Sequence, residues 1–227
     1  MWCTRRTLVV VAFALASCAT PVPPASTPTT HAVALRLYAT SATLPLLNDL
    51  IRLYAQRAPE VSFDVRSANY AGVVNLLLQE PDAYFLTNHL PSPETSALWG
   101  APIGQDAIVI IAHPDIATAG LSLAELRDVY QGRITNWRAL GGADQPIVVV
   151  SREDGSGTRA EFERLVMGER RTTRTALVAP SSAAMVEMVA RQPGSLGYVS
   201  LGWFDPRLAL LPVDGVLPTP QTVAANT

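Results

Sequence analysis

The run from Pro146 to Val166 constrains the fold more than any other part of the chain. Pro146-Ile147-Val148-Val149-Val150 is a short β-branched stretch bounded by turn residues, the pattern of a buried strand. Ser151-Arg152-Glu153-Asp154-Gly155-Ser156-Gly157-Thr158-Arg159 follows, and then Phe162, Leu165 and Val166 recur at helical spacing. The order is strand, glycine-containing loop, helix. A helix start of this kind carries unpaired backbone N–H groups at the positive end of its dipole. Gly155 and Gly157 permit a tight backbone curl and the close approach of a ligand. Ser156 and Thr158 add hydroxyl donors, and Arg152 and Arg159 add planar guanidinium forks suited to oxyanions. Two readings fit these residues. One is a site for a compact anion; the other is an ordinary capped helix start, since Asp154 and Ser156 both make good N-caps.

Upstream, the periodicity predicts an alternation of strands and helices. Val33 to Ala39 reads as a strand, Leu44 to Arg57 as a helix, and Val61 to Arg66 as a second strand. A helix through Val73, Val74, Leu76, Leu77 and Leu78, capped by Asn69 or Ser67, leads to a third short strand at Ala83 to Thr87. This βαβαβ order implies a parallel sheet with right-handed crossovers. Ligands of such sheets sit beyond the carboxyl ends of the strands, where Thr40 to Thr43, Ser67 to Tyr70 and Thr87-Asn88 all fall. Downstream, Asp106 to Ala112 is a longer apolar strand suited to crossing between lobes. Leu123 to Tyr130 is a helix capped by Ser122, and Thr135-Asn136-Trp137 starts a short turn ending at Gly141-Gly142. Ser181 or Ser182 caps a helix over Ala183 to Arg191, with Met185 and Met188 as core filler on its apolar face. Strands at Gly194 to Val199 and Leu208 to Pro212 complete the pattern.

The 227 residues, 48% hydrophobic and 16% charged, suit a globular core. The N-terminus has the order of an export signal: Arg5 and Arg6, then an apolar run from Leu8 to Ala16 too short to span a membrane. Leu15-Ala16-Ser17-Cys18 resembles the lipobox of bacterial lipoproteins, which implies a lipid-anchored, extracytoplasmic protein with Cys18 as the acylated residue. Residues 19 to 30, rich in Pro, Thr, Ser and Ala, read as a solvated tether. Without Arg5 and Arg6 the chain has 15 arginines against 19 acids, a net charge near −4, so it lacks the basic footprint of a nucleic-acid binder. The three histidines, His31, His89 and His113, are scattered, and no Cys/His cluster has metal-ligand spacing; neither metal nor cofactor is expected.

Five ordered segments resemble a known family. They are Leu121 to Leu126, Val129 to Trp137, Leu140-Gly141-Gly142, Ser151 to Phe162, and Gly194 to Val199. Together they are similar to the solute-binding lipoproteins of ABC phosphate uptake, densely from about Gly104 to Val199 and more loosely before it. The resemblance implies an α/β fold of the two-lobe periplasmic-binding-protein type (type II), with mixed sheets flanked by helices and a cleft between the lobes. It implies a monomer that hands phosphate to ABC permease subunits. In chain order the expected parts are a signal peptide over 1–17, a tether over 18–31, a first lobe from 32–107 plus 200–227, and a second lobe over 108–199. The anion is expected on Arg152, Ser156, Gly157 and Thr158 from the second lobe, supported by Gly155 and Arg159, with Asp154 matching the family acid that braces the arginine. From the first lobe the resemblance assigns Thr43, beside Ala42 where the family threonine falls, and Asn69 in Ala68-Asn69-Tyr70-Ala71-Gly72. A family acid that faces the phosphate proton falls at Thr87 or Asn88.

That substitution bears on the ligand. Hydrogen phosphate can donate its proton to a buried carboxylate, whereas sulfate, molybdate and tungstate carry none and would be repelled. Without the acid the expected ligand widens from phosphate to a tetrahedral oxyanion, unless Asp82, Asp106 or Glu153 takes its place. Val213 to Pro220 resembles the stretch before the family's closing segment, so a shortened first lobe is expected. A hydrolase with Ser156 as nucleophile fits poorly, because Gly155-Ser156-Gly157 lacks the outer spacing of a G-x-S-x-G elbow and no histidine is tied to it. A non-enzymatic receptor is the expectation. The other reading is a degenerate lipoprotein serving as a sensor or partner module.

Overall fold

The structure, a computed structural model, describes residues 33–80, 83–89 and 100–225. The expected signal, the expected acylation residue Cys18 and the expected tether lie outside the described residues, as does Asp82. Two sheets organise the rest. The smaller has β1 (Val33–Thr40) at its centre, paired in parallel with β2 (Val61–Ala68) on one side and β3 (Tyr84–Leu86) on the other. Between them run α1 (Leu44–Ala55), entered through a 3-10 turn at Ser41–Thr43, and α2 (Tyr70–Leu77). The predicted parallel βαβαβ unit is therefore present. Asn69, not Ser67, caps α2, its side chain accepting from the Gly72 N–H at 2.9 Å. Tyr38, Val73 and Leu77 form the small core between sheet and α2.

The larger sheet has the order β6-β5-β7-β4-β8. These strands are β4 (Ile108–Ala112), β5 (Val148–Arg152), β6 (Leu177–Ala179), β7 (Ser195–Ser200) and β8 (Ala209–Leu211). β4 lies antiparallel to β7 and β8, while β5 is parallel to β6 and β7, so the sheet is mixed. One face is covered by α3 (Leu123–Tyr130) and α4 (Gly157–Phe162), through Leu126, Val129, Tyr130 and Phe162. The other is covered by α5 (Ser182–Arg191), through Met185, Val186 and Val189. The inner strands of this sheet are buried on both faces, which is why Val149-Val150 and Ile110-Ile111 are continuous rather than alternating apolar runs. Ser122 caps α3 in a reciprocal capping box with Glu125, and Ser181 caps α5. Helix α4 runs on into a π-helical turn at Glu163–Met167. A short helix, α6 (Pro220–Ala224), follows near the end of the described residues.

The segments that enter β4 and leave β7 lie against each other where the two sheets meet. Ala107 O accepts from the Leu201 N–H at 2.9 Å, and the Asp106 carboxylate accepts from Ser200 Oγ at 2.9 Å, so the two segments lie side by side. One boundary differs from expectation. The stretch after Ser200 was expected in the first lobe, yet β8 pairs with β4 of the larger sheet, and Val213 bridges to Leu121. Leu208 and Leu211 are buried in the larger lobe's cores, and that apolar burial holds the segment there.

Candidate functional site

The strand predicted over Pro146 to Val150 extends to Arg152, which places the arginine at the carboxyl end of β5 instead of in the loop. Its position is fixed from below by an aromatic stack. Phe162 of α4 lies parallel to Tyr198 of β7 at a centroid distance of 3.9 Å, and Tyr130 of α3 leans on both. The Tyr198 hydroxyl accepts from the Arg152 N–H at 3.2 Å and lies 3.0 Å from Ser151 Oγ. Burial pushes that hydroxyl above its usual pKa, so it stays protonated at neutral pH and can donate to Ser151.

The Arg152 guanidinium is 1% exposed. Its Nε and Nη2 donate to the two carboxylate oxygens of Glu153 at 2.8 and 3.0 Å. Nη1 donates to Ser182 Oγ at 3.0 Å, at the start of α5, and Nη2 donates to Ser41 Oγ at 3.1 Å, in the 3-10 turn of the smaller lobe. These bonds engage four of the five guanidinium N–H groups, a bidentate carboxylate and two hydroxyls compensating the burial of the charge. The expected brace is thereby corrected. Asp154 sits on the turn with its side chain 96% exposed and pairs with Arg159 at 2.6 Å; Glu153 is the acid that holds Arg152.

Gly155 takes φ +79°, a left-handed conformation open to glycine, and a Cβ there would meet the Ala71 Cβ at 2.9 Å. Ser156 is the N-cap of α4, its Oγ accepting from the Arg159 N–H at 3.3 Å. The capped-start reading and the anion-site reading therefore coexist, because capping engages Arg159 N–H and the N–H groups of Gly157 and Thr158, in the first turn, have no helical acceptor. Thr158 and Gly157 are buried. Arg159 supports the loop from outside, donating to Glu163, Asp154 and the Arg152 carbonyl. A cavity of about 170 Å³ beside it is lined by Tyr70, Asp154, Gly155, Ser156, Arg159, Ala160 and Glu163, and not by Arg152.

The smaller lobe meets this loop directly. Ala71 N–H donates to Gly155 O at 3.1 Å, and Asn69 Nδ2 donates to Asp154 O at 3.3 Å. Asn88 Nδ2 donates to Thr158 Oγ1 at 3.3 Å. Next to it His89 Nδ1 lies 2.7 Å from Glu161 Oε1, and a Cβ on Gly157 would meet the His89 Cβ at 2.9 Å. Trp203 Nε1 donates to Ser41 O at 2.7 Å. The lobes are closed over the start of α4.

Two first-lobe residues are placed elsewhere than the anion reading requires. Thr43 is buried with its hydroxyl donating to Thr40 O and Leu86 O, so it ties the turn to β3. The Thr87 hydroxyl makes a local turn with His89, accepting from its N–H at 3.1 Å. Ser41 and Asn88, one or two positions away, are the residues that reach the second lobe. Asn88 was expected only as an alternative to Thr87 and Glu153 only as a substitute acid, while Ser41, Ser182 and Tyr198 were not selected as site residues from sequence. Asp106 bonds to Ser200 where the two sheets meet. Among the described residues no group of His, Cys, Asp and Glu is arranged to hold a metal ion, and no helix is long and apolar enough to cross a membrane.

Two α/β lobes closing over a helix start and a buried arginine define a binding-protein fold, and the chain belongs to the PBP superfamily, whose domain matches residues 24–225. Among individual proteins, it is 34% identical to the phosphate-binding protein PstS of Bacillus subtilis (strain 168) over 127 residues, 56% of this chain and 41% of that protein. The phosphate-binding protein PstS of Borreliella burgdorferi is 26% identical over 132 residues, 53% of this chain and 47% of the other. The matches thus span under half the length of these relatives. A solved structure of a putative phosphate ABC transporter substrate-binding protein with bound phosphate, from Clostridium perfringens, superposes with a TM-score of 0.79 at 27% identity, over 85% of this chain and 81% of that one.

Proposed function

We propose that this protein is an extracytoplasmic solute-binding receptor of an ABC importer, capturing phosphate, or a tetrahedral oxyanion of the same shape, between its lobes. Anchoring through Cys18 belongs to the same reading, as does delivery to permease subunits. The observation that carries it is the buried Arg152 fork at the lobe interface, bonded to a hydroxyl from each lobe, at the end of the strand that leads into the start of α4. Ser156 and Thr158 frame the same helix start, and Asn69 lies across the seam from it. The named phosphate-binding relatives supply the ligand class. The receptor is non-enzymatic on this reading: the Ser156 Oγ is engaged as a cap, accepting from the Arg159 N–H, and the nearby His89 ring pairs through Nδ1 with Glu161.

Titration calorimetry of the purified protein with phosphate, sulfate, molybdate and tungstate tests this. Binding at about micromolar affinity or tighter by at least one of the four is expected, with phosphate tightest. Absence of heat with all four would end the proposal.

A further inference from the structure

Strand β6 lies at the edge of the larger sheet, paired with β5 on one side. Among the described residues no backbone group pairs with its other side. An edge of this kind offers N–H and C=O groups to any extended chain, and proteins usually blunt it with charged side chains. Here Leu177 and Val178 stand 40% and 58% exposed instead. A cavity of about 190 Å³ opens beside the strand, walled by Val129, Ile134, Ile147 and Leu177 with the hydroxyl-bearing Thr173 and Thr175. In residues adjoining that wall, Gln131 Oε1 and Thr172 Oγ1 are buried with no hydrogen-bond partner among the described residues. The loop that leads into β6 carries Glu169, Arg170, Arg171 and Arg174, a net charge of +2 (three arginines less one glutamate) in a chain of net charge −2. These three arginines are exposed and form no ion pair among the described residues, whereas Arg133, Arg164 and Arg191 of the same lobe each pair with an acid.

We propose that the free edge of β6 docks an extended, acidic segment of a partner protein, independently of anion capture. The segment adds a strand beside β6, and backbone hydrogen bonds hold it there. Its side chains alternate between the two faces of the sheet, so every second one lies on the side of the cavity, where valine or leucine fits the apolar walls. Residues that reach past the amino end of β6 meet Arg170, Arg171 and Arg174, whose guanidinium forks take carboxylates. This end of the sheet is the one away from Arg152. Strand β6 runs parallel to β5, Arg152 sits at the carboxyl end of β5, and the arginine loop precedes β6. A flat anionic lipid surface would meet the arginines but has no use for a backbone edge beside an apolar cavity, so the geometry favours a peptide.

The test is fluorescence anisotropy of three labelled short peptides with the full chain at low salt. The first alternates glutamate with valine, and the second alternates lysine with valine. The third keeps the glutamates but puts proline for valine, which removes backbone donors and cannot extend a sheet. The Glu/Val peptide is expected to bind with a Kd of about 10–100 μM, and the other two at least about tenfold more weakly. Charge reversal by Arg170→Glu, Arg171→Glu and Arg174→Glu together should weaken the Glu/Val peptide about tenfold, and Leu177→Ser about threefold. Far-UV circular dichroism of both variants should match wild type, which keeps loss of binding apart from loss of fold. Equal binding of the Glu/Val and Glu/Pro peptides overturns strand addition. Equal binding of the Glu/Val and Lys/Val peptides, or a charge-reversed chain that binds like wild type, overturns the role of the arginines. Capture of the chain by phosphatidylglycerol vesicles through the same arginines, with no peptide bound, would make the patch a lipid contact and overturn the proposal as well.

Discussion

At the scale of single residues the site turns on how a charge is kept inside the protein. Arg152 has a bidentate carboxylate on one edge and a hydroxyl from each lobe on the other. Removing it leaves the Glu153 carboxylate, mostly buried, without its partner. Arg152→Ala is expected to abolish oxyanion binding in calorimetry and to lower folding stability by about 3–5 kcal/mol in denaturant melts. A variant that still bound phosphate would separate the arginine from the site. Tyr198 is a gentler probe: Tyr198→Phe keeps the stack on Phe162 but removes a hydroxyl bonded to Arg152 N–H and Ser151. Its thermal melt should fall by roughly 1–2 kcal/mol equivalent, with phosphate affinity reduced less than in Arg152→Ala. The sequence pointed to Arg152 because a fork beside a glycine loop has few other uses. It could not point to Ser182, 30 positions later, or to Ser41, 111 positions earlier, because only the closed fold brings them to the same guanidinium. Nor could adjacency alone rank Glu153 above Asp154; the strand continuing to Arg152 decided which acid turned inward.

At the scale of elements, the meeting of α4 with the loop after β3 controls closure. Gly157 has no positive φ, so a methyl there leaves the helix unstrained, but its Cβ would lie 2.9 Å from that of His89. Gly157→Ala should therefore keep its thermal stability while holding the lobes apart, seen as about tenfold weaker phosphate binding and faster exchange at Ala71. The His89–Glu161 pair at 2.7 Å adds a titratable contact to the same seam, with Arg164 on the far side of Glu161 and the Tyr70 ring edge-on to His89. Burial pushes the Glu161 carboxyl up, but hydrogen bonds from His89 and Arg164 outweigh it and hold it below the usual range. A folded-state value below the unfolded one gives stability that is present at neutral pH and lost as pH falls through the carboxylate range. Wild type should accordingly lose about 1 kcal/mol relative to Glu161→Gln in melts taken from about pH 7 to about pH 3, and parallel curves would remove the pair from the balance. The elements themselves were largely legible, because caps such as Ser122 and Asn69 and the two hydrophobic periods mark their ends. β6 was not, since three residues at a sheet edge carry no period and two of them, Leu177 and Val178, stay exposed.

For the whole molecule, the segment entering β4 at Ala107 and the one leaving β7 at Leu201 lie hydrogen-bonded side by side where the lobes meet. Paired segments of this kind bend together and act as a hinge. Small-angle scattering should show the radius of gyration falling when phosphate saturates the protein, and an unchanged radius at saturation would mean that capture proceeds without closure. The βαβαβ order implied the parallel sheet of the first lobe, while the two-lobe plan came from the resemblance to the binding-protein family. The home of β8 did not, because Leu208 to Leu211 is apolar enough for either lobe and only pairing with β4 distinguishes them.

The contact of Gly157 with His89 carries a last consequence. Where the closed lobes leave no width for one methyl group, an esterified phosphate would bring carbon into the seam and prop it open. On the receptor reading proposed above, sugar phosphates and nucleotides would be turned away by girth, however well their charge matched, and only bare inorganic ions would let the jaws shut.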